Sequence, residues 1–218
     1  MRRLLVVTTA AMLAGCTTIE PSQLSETTAS RLHGQNVAIV IQEPTTFGAM
    51  KRGDVALGPL GIPVMALQGE RLRKAAGIVD PADDVADTLA DVLVGRHAAV
   101  LLPGRGHSAS DEAAAIVAAA PPGARYVLTV GTLSWAIARI PFPHSPYYVS
   151  YLARARLIDV QTKAVIAEGG CLQAPDGTEV QSEDYDQFTS NNAQLVKTEL
   201  AARVDRCVHF IKRDMLGA

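Results

Sequence analysis

Tyr147-Tyr148-Val149-Ser150-Tyr151-Leu152-Ala153-Arg154-Ala155-Arg156-Leu157-Ile158-Asp159-Val160 sets Val149, Tyr151, Ala153, Ala155 and Leu157 on one side and Ser150, Arg154 and Arg156 on the other. Successive side chains of a strand point to opposite faces, so this period of two predicts a strand with one side buried and the other at least partly solvated. Gln161-Thr162-Lys163 is a link short enough for an antiparallel hairpin into a second run, Ala164 to Ala174. Arg125 to Ile140 is a third strand-like run just upstream. The three form an antiparallel meander.

Outward from that meander the pattern changes period. Asn36 to Glu43 is a β-branched run ended by Pro44, and reads as a buried first strand. Asp80-Pro81 supplies an N-cap and a proline at the first helical position, and Val85, Leu89, Val92 and Leu93 continue at helical spacing to near Gly95. Ala98 to Leu102 reads as a short buried strand stopped by Pro103 and Gly104. Ser108 or Ser110 caps the next helix, with Asp111 and Glu112 in its first turn and Pro121-Pro122-Gly123 as its stop. Phe47 to Gly77, punctuated by six glycines, reads as a flexible covering segment with some helix.

Ser182 opens a long closing helix. In it Ala193, Val196, Leu200, Val204, Cys207, Val208, Ile211 and Met215 recur every three or four residues, and Lys197, Glu199, Arg203 and Arg206 fall mostly on the other face. The expected fold is a single α/β domain of the α+β kind. A mixed sheet of about five strands, with the antiparallel meander at its C-terminal side, carries helices packed on it.

The opposite end of the chain states an address. Arg2 and Arg3 precede the apolar run Leu4 to Ala14, which has the charge and length of a signal-peptide core and is too short to span a bilayer. Leu13-Ala14-Gly15-Cys16 resembles the lipobox of bacterial lipoproteins. That resemblance implies removal of residues 1–15, lipidation of Cys16 (a palmitate-type acyl chain among its modifications) and a membrane partner reached through N-terminal acyl chains. Thr17 rather than Asp after the cysteine resembles the default for the outer membrane, which puts the domain on its inner leaflet facing the periplasm. Residues 16–33 are polar and rich in Ser and Thr, as suits a tether, and 34–218 form the periplasmic domain.

With 20 basic and 22 acidic residues the formal charge is −2, and no basic stripe is present, so nucleic acid is not an expected partner. Hydrophobic residues make up 48% but aromatics only 5%, so the core is built from small and aliphatic side chains. Cys16 apart, Cys171 and Cys207 form an even remainder that suggests a disulfide in an oxidising compartment, pinning the closing helix to the sheet. Two free buried thiols, or a metal or redox pair, are the alternatives.

Few residues point to chemistry. Pro103-Gly104-Arg105-Gly106-His107-Ser108 lies between an expected strand and helix, where Arg105, His107 and Ser108 are a weak anion-site candidate, but it matches neither GxGxxG nor a Walker loop. A tight turn with a serine cap accounts for the same residues. Neighbours such as Ser108, His107 and Asp111 rarely meet as a catalytic triad, and no G-x-S-x-G elbow exists. The five histidines have no metal-ligand spacing, so neither metal nor cofactor is expected. Asp83, Asp84, Asp87 and Asp91 read as a solvated helix face. Ile140 to Tyr148, stiff with proline, offers Phe142, Tyr147 and Tyr148 as a partner-binding tip if exposed, or as a closure of the core if folded back.

Gly77-Ile78-Val79-Asp80-Pro81-Ala82, Tyr126-Val127-Leu128 with Trp135, Ala155-Arg156-Leu157-Ile158-Asp159-Val160-Gln161-Thr162, Glu168-Gly169-Gly170-Cys171 and Asn191-Asn192-Ala193 together resemble a family of Gram-negative lipoproteins without an assigned activity. The hairpin is distantly similar to curli-secretion-type envelope assembly lipoproteins. The expected function is a non-enzymatic binding or assembly module whose partners are envelope proteins or copies of itself. A periplasmic hydrolase with a site near Gly104–Ser108, and an oligomeric export component, are the alternatives.

Overall fold

The computed structural model describes residues 19, 21–139, 146–173 and 184–218. Six strands make one mixed sheet. β1 (Asn36–Gln42) lies parallel to and between β3 (Val100–Ser108) and β4 (Tyr126–Arg139), and β5 (Tyr147–Asp159) and β6 (Val165–Gln173) follow antiparallel. The two-residue β2 (Gly48–Ala49) adds to β4 at Ala136 and Ile137, beyond the end of β1.

Alternation along β1 and β4 divides the core between the two sheet faces. Val37, Ile39, Ile41, Leu128 and Val130 face the larger side, where α3 (Ala82–His97) and α5 (Tyr185–Leu216) cover them with Val85, Leu89, Leu93, Leu200 and Ile211. Val40, Val127 and Ile158 face the other side and meet Ile116 of α4 (Ala113–Ala118). The expected meander and α+β class stand in the structure with nearly the expected bounds. Cys171 of β6 and Cys207 of α5 are disulfide-bonded, their Cα atoms 5.2 Å apart, so the bond ties helix to sheet.

Several expectations need correction. Pro103 does not stop β3. The register passes from Val37↔Leu101 to Ile39↔Arg105, so Leu102-Pro103-Gly104 bulge opposite a single residue of β1, with Gly104 at φ 82°. β3 is the sheet's edge, where a proline forfeits no ladder bond, and the strand resumes and runs on to Ser108. It is also more exposed than a buried strand.

Phe47–Gly77 is more regular than expected. After a 3-10 segment, Asp54–Leu60, it forms the 16-residue α2 (Gly61–Ala76), capped by Gly77 at φ 63°. Only Gly61, Gly69 and Ala76 of α2 are buried. A Cβ on Gly69 would stand 1.9 Å from the Phe47 carbonyl oxygen, so the helix packs backbone to backbone.

The expected tether ends earlier than residue 33. Ser22 exchanges both backbone hydrogen bonds with Glu168 at 2.8 and 2.9 Å, Leu24 donates to the Met215 carbonyl, α1 (Glu26–Arg31) follows, and Leu24 and Leu32 are buried. The face of β5 expected to be partly solvated is covered at Arg154 and Arg156, which are 5% and 7% exposed. On α5 the apolar positions face the core as expected, but Glu199 and Arg203, expected on the outer face, are buried too. Asp184 caps this helix through its side chain, and Ser190–Ala193 interrupt it, with Asn191, Asn192 and Ala193 at positive φ. Ser182, Cys16 and the leader lie outside the described residues.

Candidate functional site

The bulge in β3 removes the basis of the anion-site candidate, because Arg105, His107 and Ser108 stand in a strand and not in a loop opening a helix. Arg105 bridges Asp83 and Asp87, which are one turn apart on α3, so its charge is already matched. His107 is exposed and Ser108 buried, as neighbours on opposite faces of a strand must be. The Ser108 hydroxyl donates to the Ser110 carbonyl at 2.9 Å and accepts the Ser110 N–H at 3.2 Å, closing a turn. The imidazole therefore does not face the hydroxyl.

Asp111 sits just before α4 and gathers the polar residues of the sheet's other face. It accepts hydrogen bonds from Gln42 at 2.9 Å, from Arg156 at 2.7 Å and from Arg154. Burial on its own pushes the Asp111 carboxyl upward, and the bonds from Arg154 and Gln42 with the two guanidinium charges outweigh it, leaving it below its ordinary value. Arg156 is held below its ordinary value by burial first and then by the like charge of Arg154. Gln42, Ser108, Asp111 and Thr132 line a small cavity of about 270 Å³ beside this cluster. The cluster braces β1, β5 and α4 through Asp111, while the buried Nε atoms of Arg154 and Arg156 have no hydrogen-bond partner among the described residues.

The expected aromatic tip is divided. Phe142 lies outside the described residues. Tyr147 is folded in and only 3% exposed: its oxygen accepts the Arg52 N–H at 2.9 Å, and its ring meets Tyr185 edge-on at 5.3 Å. It closes the core, the second of the two roles the sequence allows. Tyr148 points to the opposite face of β5 and is half-buried.

A recess lies where α3 begins beside α5. It holds about 560 Å³, within the roughly 300–1,000 Å³ of ordinary ligand clefts. Ile78, Val79, Leu200, Val204 and Val208 supply apolar walls, and Asp84, Asp205, Lys197 and Lys212 add charges of both signs to the lining.

Asp80 lines the groove and ties the start of α3 to β4. Its carboxylate accepts the Ala82 N–H at 3.1 Å, capping α3, and also accepts the Thr132 hydroxyl from β4. Thr132 spends its single proton there, so Tyr151, 3.3 Å away on β5, donates to Thr132. Burial pushes the Asp80 carboxyl up despite the stabilising bonds from Thr132 and Ala82, and burial likewise pushes the Tyr151 phenol up. The Asp80-Pro81 signal announces the helix start in the sequence. The groove itself depends on α5, more than a hundred residues away, and has no local signature.

Among the described residues no helix is long and apolar enough to cross a membrane, and no group of three or more His, Cys, Asp or Glu is placed to hold a metal ion. No protein-family model matches the chain, and no curated protein matches it in sequence. Solved structures with a similar outline include the PelC dodecamer from Paraburkholderia phytofirmans, at 17% identity over 83% of this chain and 94% of that one, with a TM-score of 0.28. A neuraminyllactose-binding hemagglutinin homologue from Helicobacter pylori is 11% identical over 85% and 86%, with a TM-score of 0.32. Lipoprotein GNA1162 from Neisseria meningitidis is 12% identical over 78% and 99%, with a TM-score of 0.24. At these scores the likeness assigns neither a family nor a function.

Proposed function

We propose that this chain is a non-enzymatic, lipid-anchored module of the bacterial cell envelope that holds an amphipathic segment of an envelope protein in the groove between α3 and α5. The groove carries this reading: apolar walls from Ile78, Val79, Leu200, Val204 and Val208 share its lining with charges of both signs. Apolar burial supplies affinity, and the charges of both signs select register and partner. The half-buried carboxylate of Asp80 is committed to the Ala82 N–H and to Thr132, so it serves as a fixed part of the lining. Lipidation at Cys16, by its resemblance to a lipobox, keeps the domain at the inner leaflet of the outer membrane.

Ala201 is exposed on the groove wall, which allows the groove to be filled without disturbing the core. Affinity capture from detergent-solubilised envelopes should enrich a discrete partner with the native chain and lose it with Ala201→Trp. Equal recovery by both proteins would overturn the assignment of the groove.

A further inference from the structure

The anchor and two of the most exposed apolar residues, Leu60 and Ile62, lie toward the same end of the sheet. Ser22 pairs antiparallel with Glu168, and Ile19 lies over Gly170, where a Cβ would be 2.5 Å from its Cδ1. Followed toward its N-terminus, the chain thus runs along β6 in the direction of Gln173, which is level with Tyr151 and Trp135. Beyond that level, among the described residues, β2 and the Ala136–Arg139 and Tyr147–Ser150 portions of β4 and β5 continue. Cys16 precedes Ile19 by three residues, so at most about 11 Å of backbone separates them.

α2 starts at the same end. Gly69 packs on Phe47 and Gly48, level with Ala136, while the chain after α2 reaches Thr132 through Asp80. The helix therefore runs against β4, and its first residue lies about 12 Å beyond Gly69, toward the Arg139 end of β4. Leu60 and Ile62 stand there 75% and 69% exposed. Lys51 and Arg52 share the neighbouring hollow with Asp184 and Asp186, so the charges nearby cancel and apolar contact dominates.

We propose that this end of the sheet, with Leu60 and Ile62 at the start of α2, rests on the bilayer that holds the acyl chains of Cys16. Leu60 and Ile62 enter the interfacial region, and the groove between α3 and α5 is held in a set orientation above it. The length of chain between Ile19 and the anchor carries the inference, since so short a link keeps this end within reach of the surface. The proposal rests on the lipidation of Cys16.

The test uses the full lipidated chain in vesicles of phosphatidylethanolamine and phosphatidylglycerol, with an environment-sensitive fluorophore on Ile62→Cys or, at the far end of the sheet, Val100→Cys. Both positions are exposed, so neither change disturbs packing. The expected result is that emission from position 62 shifts to the blue and is quenched by brominated acyl chains, while that from position 100 does neither. Emission from position 62 matching position 100 overturns the orientation and leaves the anchor standing. A blue shift without lipid quenching also overturns it, in favour of a second copy of the chain. Failure of the protein to float with vesicles overturns the lipidation reading along with the orientation.

Discussion

Asp111 lies 2.7 Å from Arg156 and also bonds Arg154, so one partly exposed carboxylate pairs with two arginines that the sheet has buried. Removing it strands both guanidinium groups, although Arg154 keeps a more distant carboxylate in Glu168 at 3.9 Å. Asp111→Ala should destabilise the fold by about 2–3 kcal/mol, less than for a fully buried pair because the carboxylate is part-solvated. Its carboxyl titrates below the ordinary value, so this contribution is present above the ordinary carboxylate range and lost as pH falls through the lowered value. Urea unfolding of both proteins at pH 7 and pH 3 should show the difference shrinking in acid.

The disulfide closes a loop of 36 residues between β6 and α5. Cys171→Ser should lower stability by about 3–4 kcal/mol on chain entropy and leave membrane attachment intact. Cys16→Ser should do the reverse, releasing the protein from membranes with an unchanged melting curve. Fractionation and thermal melts of the two variants separate these roles.

Two helical glycines should respond with opposite sign. A Cβ on Gly95 of α3 meets nothing within 4 Å, so Gly95→Ala should stabilise by about 1 kcal/mol. On Gly69 of α2 the Phe47 carbonyl blocks it, and Gly69→Ala should cost about 1–3 kcal/mol by overpacking. Chemical denaturation of the pair against the native chain measures both.

Asp80 supplies a pH signature. Burial raises its carboxyl above the unfolded value, so the folded chain binds this proton more tightly than the unfolded one. Its contribution to stability is therefore greatest in acid and declines as pH rises from the unfolded to the raised folded value. Asp80→Asn keeps an oxygen to accept from Ala82 and Thr132 without a buried charge. It should remove that decline, as melting temperatures between pH 3 and 7 will show.

The meander was legible because apolar and polar residues alternate along β5, even though both of its faces prove to be covered at Arg154 and Arg156, and α3 because Asp80-Pro81 and Val85, Leu89 and Leu93 mark its start and face. α2 was not, since it packs through Gly61, Gly69 and Ala76 and so presents no stripe of large apolar residues at helical spacing. Pro103-Gly104 reads as a stop in any sequence and became a bulge only because β3 is an edge. The burial of Arg154 and Arg156 depends on Asp111, more than forty residues earlier, and that of Glu199 and Arg203 on where α5 settles. The groove joins segments that no local pattern links, which is why Arg105, His107 and Ser108, a compact motif, stood out in the sequence while the recess did not.

The most direct test is photocross-linking in growing cells from a photoreactive residue at position 201 in the groove, compared with one at position 100 on the strand edge. Position 201 should give a discrete adduct with one envelope protein and position 100 none. No adduct from position 201, or the same adducts from both, would contradict the assignment of the groove.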